Sequence, residues 1–206
     1  MDKIRKPYGL TGNIGCGKST IANILRANEV AVYDCDSIAR GIVASPEHRQ
    51  RIVEILGTDA PFAGEAMDRK MVAKIIFSNP EIKDELEKYV HPLMWGEIEW
   101  DMQFLPEATI VFVEAAILYE TGSASKCEAV LVATCSEGEQ IRRLRSARNM
   151  SIEGINARIN AQIPQSEKEA RADMVISTEL PLKQLEQEIG ELCERLRKVN
   201  QQGEVK

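Results

Sequence analysis

One glycine-rich stretch runs Tyr8-Gly9-Leu10-Thr11-Gly12-Asn13-Ile14-Gly15-Cys16-Gly17-Lys18-Ser19-Thr20. From Gly12 to Ser19 it reads G-x-x-x-x-G-K-S, a phosphate-binding loop. A polyphosphate is held by backbone N–H groups that converge on it, and side chains would block that approach. Gly12, Gly15 and Gly17 remove the obstruction and permit positive φ. Apolar Tyr8-Gly9-Leu10 before the loop reads as a short buried strand, while Ile21, Ala22, Ile24 and Leu25 after it form one helical face. That helix, beginning near Lys18, aims its positive end at the anion. Lys18 adds a point charge at the β/γ-phosphates, and the Ser19 hydroxyl is a ligand for Mg2+. Asn13, Ile14, Cys16 and Thr20 complete the stretch expected to touch a nucleoside triphosphate.

The rest of the composition narrows the setting. The chain has 206 residues, enough for one α/β domain with an inserted subdomain. A net charge of −6 argues against a general nucleic-acid or membrane-surface binder. No apolar run reaches membrane-spanning length, and Met1 to Pro7 is not followed by the apolar core of a secretory signal, so a cytoplasmic protein is expected. Five cysteines without a C-x-x-C indicate neither a disulfide framework nor a zinc site. Cys16 has two readings, a small loop residue or a thiol activated by the helix N-terminus.

Outward from the loop, Glu29 to Tyr33 reads as a second strand with Asp34-Cys35-Asp36 at its end, where ligands of open α/β sheets gather. Extended alternation would put both carboxylates on one side, to accept a hydroxyl proton or hold the shell of Mg2+. Pro46 to Leu105 is mostly helical: Glu47 to Leu56 stopped by Gly57, a helix capped by Asp68, and one from Pro80 to Val90 that His91-Pro92 interrupts before a further stretch holding Trp95, Ile98 and Trp100. This block is too long for a simple crossover and reads as an inserted wall for an acceptor. His91 is either a helix-end residue or an acceptor contact. Thr109 to Val113 is a central parallel strand with Glu114 at its end, either a Mg2+-associated carboxylate or a helix cap. Ala129 to Ala133 is a fourth strand, and Ser136-Glu137-Gly138-Glu139 a capping box. The helix it opens carries Arg142, Arg143, Arg145 and Arg148, a positive patch suited to phosphate. A second helix runs from Ile152 to Ala161. With hinges at Asn149 and Pro164, the two make a lid that closes over the nucleotide. Met174 to Ser177 is a fifth strand, Leu182 to Val199 an amphipathic helix, and the tail from Asn200 a frayed end.

In order along the chain, Gly9-Leu10-Thr11-Gly12 with Gly17-Lys18-Ser19, Asp34-x-Asp36 with Ile38-Ala39-Arg40, His91-Pro92, Leu118-Tyr119-Glu120, Gln140-x-x-Arg143-Leu144, Arg158 to Gln162 with Pro164 and Lys168, and Ala172-Asp173-x-Val175-Ile176 resemble the dephospho-CoA kinases. The resemblance implies transfer of a phosphoryl group from ATP, with Mg2+, to the ribose 3′-hydroxyl of dephospho-CoA. It implies an α/β fold with a five-stranded parallel sheet flanked by helices: a core of residues 1–45, 107–139 and 172–199, a helical acceptor domain 46–106 and a lid 140–171. Asp36 would be the general base, with Lys18 and Arg143 on the phosphates. Asp34, Arg40, His91 and Glu120 would lie toward the acceptor, and Ser19 and Glu114 toward the metal. Three positions depart from the family: Ala116 stands where Pro is usual, Ser177-Thr178-Glu179 replaces Asn-x-Gly, and Ala147 occupies the place of the second lid arginine, leaving Arg145 or Arg148 for that role. The alternatives are another small-acceptor kinase, of the shikimate or nucleoside monophosphate type, and a nucleotide switch; no N-K-x-D reads guanine for the latter.

Overall fold

The computed structural model describes residues 5–63, 67–148 and 151–203, apart from the side chains of 147, 148 and 201–203. Gly64, Asn149, the Arg148 side chain and the last residues of the tail therefore lie outside the described residues. The strands are β1 (Tyr8–Thr11), β2 (Ala31–Asp34), β3 (Val111–Glu114), β4 (Val130–Thr134) and β5 (Met174–Ser177). They form one parallel sheet in the order β2-β3-β1-β4-β5. Between and after them run α1 (Lys18–Ala27), α2 (Cys35–Ala44), α3 (Arg49–Leu56), α4 (Arg69–Ser78), α5 (Pro80–Met102), α6 (Glu137–Arg148), α7 (Ile152–Asn160), α8 (Gln165–Ala170) and α9 (Leu182–Gly203).

The chain divides into two compact units, one of the described residues through Asp34 and from Pro106 onward, the other Cys35–Leu105. The boundary expected at Pro46 thus falls eleven residues earlier, because α2 packs on α5 and α3. In the first unit, β1 lies between β3 and β4 and is buried along its whole length. Leu10, Ile21, Leu25, Phe112, Leu131 and Ile189 are completely or almost completely buried around it, and α1 packs against α9. Tyr8 and Phe112 stack with ring centroids 5.3 Å apart.

The second unit is organised by α5, which packs on α2, α3 and α4. Here the sequence reading needs correction: His91-Pro92 does not interrupt the helix, and α5 runs unbroken through Pro92. An interior proline costs about 3 kcal/mol through the lost hydrogen bond and the clash with the carbonyl four residues back. Leu86 and Val90 before it, and Met94, Trp95, Ile98 and Met102 after it, are all buried. At about 1.5–3 kcal/mol per buried large apolar side chain, packing on both sides outweighs that cost. Pro92 and Lys88, whose carbonyl loses its helical partner, are both exposed. His91 is accordingly a half-buried residue in mid-helix, not a helix end.

Two cap expectations fare differently. Asp68 caps α4 through the Lys70 and Met71 amides, at 2.9 and 3.1 Å. At α6, Ser136 Oγ accepts from the Glu139 amide at 3.4 Å, but the reciprocal half of the capping box is missing. Glu139 turns instead to Arg142 and Arg143, and Glu179 takes the Ser136 amide and hydroxyl at 3.3 and 2.6 Å.

Candidate active site

β1 ends at Thr11, and the chain turns through the glycine loop into α1. Gly12 has φ of 142° and Gly17 of 80°. A Cβ at Gly12 would collide with the Ala133 carbonyl, and one at Gly17 would come within 2.8 Å of the Thr178 hydroxyl. Only glycine tolerates both the backbone angle and the closeness of the neighbour. Lys18 Nζ folds back over the loop, donating to the Gly12 carbonyl at 2.9 Å and lying 3.4 Å from that of Asn13. Its ammonium is thereby held at the concavity where a phosphate would sit.

Ser19 Oγ, in the first turn of α1, donates to Glu114 Oε1 at 3.3 Å. Glu114 is the last residue of β3 and pairs in register with Asp34 at the end of β2. Burial raises the Glu114 pKa, and the neighbouring Asp34 raises it further, while Lys18, the Ser19 hydrogen bond and Arg26 pull it down. A carboxylate made costly by burial beside a second carboxylate and a serine hydroxyl is a hard-oxygen set that fits Mg2+, an ion that keeps waters and phosphate oxygens in its remaining positions. No cluster of three or more His, Cys, Asp or Glu that could hold a metal ion exists among the described residues.

The D-x-D is not one extended segment. Asp34 closes β2, whereas Cys35 and Asp36 open α2, so strand alternation does not relate the two carboxylates. Asp36 and Arg40 are both exposed on α2. Arg143 is tied down at three points: Nε to Glu139 at 2.6 Å, and Nη1 and Nη2 to the Thr178 hydroxyl and carbonyl at 2.7 and 2.8 Å. The hydrogen bonds of Arg142, and then that of Arg143, hold the Glu139 carboxyl down at about 2. Thr178 Oγ1 in turn lies 3.0 Å from the Cys16 carbonyl, so Arg143 is linked to the back of the loop. Cys16 is buried, and its hydrogen bond with Cys135 holds its thiol below the ordinary value and that of Cys135 above.

The front of the loop is held by side chains the sequence reading did not place in the site. The Asn13 amide donates to Gln165 Oε1 and the Ile14 amide to Gln162 Oε1, each at 2.9 Å. Asn13 and Ile14 were expected to turn toward the nucleotide, yet their N–H groups face protein. Glu120, expected on the acceptor side, accepts from the fully buried Lys168 at 2.9 Å and from the Ile163 amide at 3.1 Å. Burial lowers the Lys168 pKa and the Glu120 pairing opposes that shift. Pro164, read as a hinge, sits inside this bonded segment, and α8 follows it at once where no helix was anticipated.

Comparison with known proteins bears on this arrangement. A model of the dephospho-CoA kinase family matches residues 8–184. The chain belongs to the dephospho-CoA kinase family. Family members from Pseudoalteromonas translucida and Thermus thermophilus are each 34% identical to it, over 84% and 86% of this chain and 83% and 85% of their own. The crystal structure of a Thermus thermophilus protein superposes with a TM-score of 0.82 at 31% identity, covering 94% of this chain and 99% of that one. A dephospho-CoA kinase from Campylobacter jejuni gives 0.66 at 28% identity, covering 94% and 98%. The parallel sheet and phosphate loop are thus those of a kinase family that uses ATP. Within that family fold, Ser19, Glu114 and Lys18 are brought together as the sequence suggested, and Gln162, Gln165 and Thr178 join them.

Proposed function

We propose that this chain transfers the γ-phosphoryl group of ATP to the ribose 3′-hydroxyl of dephospho-CoA, completing coenzyme A. The observation that carries the reading is the meeting of Lys18, Ser19 and Glu114 at the mouth of the glycine loop, in a chain of this family. Lys18 and the loop amides bind and orient the phosphates. Ser19 and Glu114, with Asp34 beside them, would hold Mg2+, which when bound neutralises charge on the β- and γ-phosphates. Asp36, two residues beyond Asp34, takes the proton of the 3′-hydroxyl as that oxygen attacks the γ-phosphorus, whose bond to the bridging oxygen breaks so that ADP leaves with the electron pair. Arg143 exchanges its Thr178 bonds for contacts to the nucleotide, and α6 with α7 forms the lid. Arg40 and His91 serve the acceptor. The partners are the two small-molecule substrates. Five free thiols fit a reducing compartment, the cytoplasm, and no described helix is long and apolar enough to cross a membrane.

A coupled assay for ADP release, with Mg2+ and ATP plus dephospho-CoA, shikimate, CMP or AMP, tests the reaction. Release with dephospho-CoA alone, and a product of mass one phosphoryl group higher, is expected; release with another acceptor overturns the substrate. Asp36→Asn is expected to keep ATP affinity and lose turnover by roughly 10²–10⁴-fold. A near-normal rate would remove Asp36 as the base.

A further inference from the structure

Asn13 and Ile14 lie between the end of β1 and the start of α1, where no regular element supplies acceptors for their amides. Asn13 is buried, and an unmet buried N–H is costly. Two glutamine side chains supply the acceptors, and each also donates from its other end. Gln162 accepts from Ile14 and donates to the Ala116 carbonyl at 3.2 Å. Gln165 accepts from Asn13 and donates to the Ala133 carbonyl at 3.1 Å, with Glu169 Oε1 3.2 Å away. Ala116 follows β3 and Ala133 lies in β4, the two strands that flank β1. The loop is therefore braced to both neighbours of its own strand. Bonds run the other way as well: Asn13 Nδ2 to the Ile163 carbonyl at 3.3 Å, and Gln140 Nε2 to the Ile14 carbonyl at 2.6 Å. Beneath the brace, Lys168 Nζ donates to the Ala116 carbonyl at 2.6 Å and pairs with Glu120, which also receives the Ile163 amide.

We infer that Gln162 and Gln165 are positioning residues that hold the phosphate loop in its anion-binding shape before nucleotide arrives. A bound triphosphate then takes amide bonds from Gly15 onward, not from Asn13 or Ile14. Both glutamines are fixed at two ends, so the loop is ordered in advance and binding loses less entropy. A loop released from the brace visits the competent shape only part of the time, and its apparent affinity falls by that fraction. The inference rests on nucleotide binding at this loop.

The first test is amide hydrogen exchange on the wild-type chain, with and without a non-hydrolysable ATP analogue. Asn13 and Ile14 are expected to be protected without nucleotide and little changed by it, while Gly15, Gly17 and Ser19 gain protection on binding. Asn13 and Ile14 amides that slow only when nucleotide is added would overturn the brace. This pattern judges the brace even if dephospho-CoA proves not to be the acceptor, and even if a variant does not fold. The second test uses Gln162→Met and Gln165→Met, which keep the volume and remove the amide. Each is expected to raise KM for ATP about tenfold, with kcat within about threefold and KM for dephospho-CoA within about twofold. The Ile14 amide should lose protection in the first variant and the Asn13 amide in the second. An unchanged KM for ATP, or equal losses for both substrates, would leave these glutamines as ordinary packing residues.

Discussion

Around the phosphate loop, charged and polar side chains are sunk into the protein and bonded on several sides. Lys168 has no exposed side-chain surface and its partner Glu120 has 18%. In the helical unit Cys35–Leu105 the charges stay outside: Arg51 with Glu54 and Glu85, and Lys83 with Glu87, have side chains a third to a half exposed. It also exposes large apolar residues, Phe77, Trp100 and Phe104, the last two in edge contact with ring centroids 5.3 Å apart. One region places buried polarity where geometry must be fixed. The other relies on apolar packing along α5 and uses charge only as a solvated coat. An exposed pair contributes about 0–1 kcal/mol, whereas stripping one partner from a buried pair costs about 3–5 kcal/mol.

That contrast can be broken at its strongest point first. Lys168→Met leaves the Glu120 carboxylate without its cation and takes from the Ala116 carbonyl one of its donors, Gln162 remaining. A stability loss of about 3 kcal/mol is expected in urea unfolding. A loss no larger than that of a surface variant would mean that the buried pair does not distinguish the two regions.

Glu114→Gln sharpens the comparison through pH. The folded-state pKa of Glu114 lies above its unfolded value, so the ionised carboxylate destabilises the fold at neutral and alkaline pH. That penalty disappears as pH falls through the raised pKa and the carboxyl takes up its proton. Glu114→Gln should therefore raise Tm at pH 8, with the gain shrinking as pH falls into the acid range, while Mg2+-dependent turnover drops. A gain that grew toward acid would reverse the assignment. The smallest effect is expected of Arg51→Ala, whose urea-unfolding midpoint should match that of the parent at any salt concentration. A larger change would show that the coat of the helical unit is cooperative.

The two regions also differed in what the sequence revealed. Gly12, Gly17, Lys18 and Ser19 were legible because the loop writes its requirements within eight consecutive residues. Glu114 was legible because a β-branched run announces the strand that carries it. The brace was not, since Gln162 and Gln165 act on amides 148 and 152 residues away, and no local pattern encodes such a bond. For the same reason Glu139 looked like the second half of a capping box, whereas Glu179, 43 residues downstream of Ser136, holds the Ser136 amide and hydroxyl. In the helical unit the error was of another kind. Pro92 carries a strong local breaking signal, and tertiary burial on either side of it overrode that signal.

The position of β1 at the middle of the sheet has a consequence for how the protein is made. Tyr8–Thr11 leaves the ribosome well before its partners, which are Phe112 to Glu114 on one side and Val130 to Val132 on the other. For about a hundred residues of synthesis the most buried strand has both edges open, which is when strand edges invite aggregation. The glycine loop waits longer still, because residues 162 and 165 must emerge before its front amides find their acceptors. The long-range pairings predict slow folding for a protein of this size.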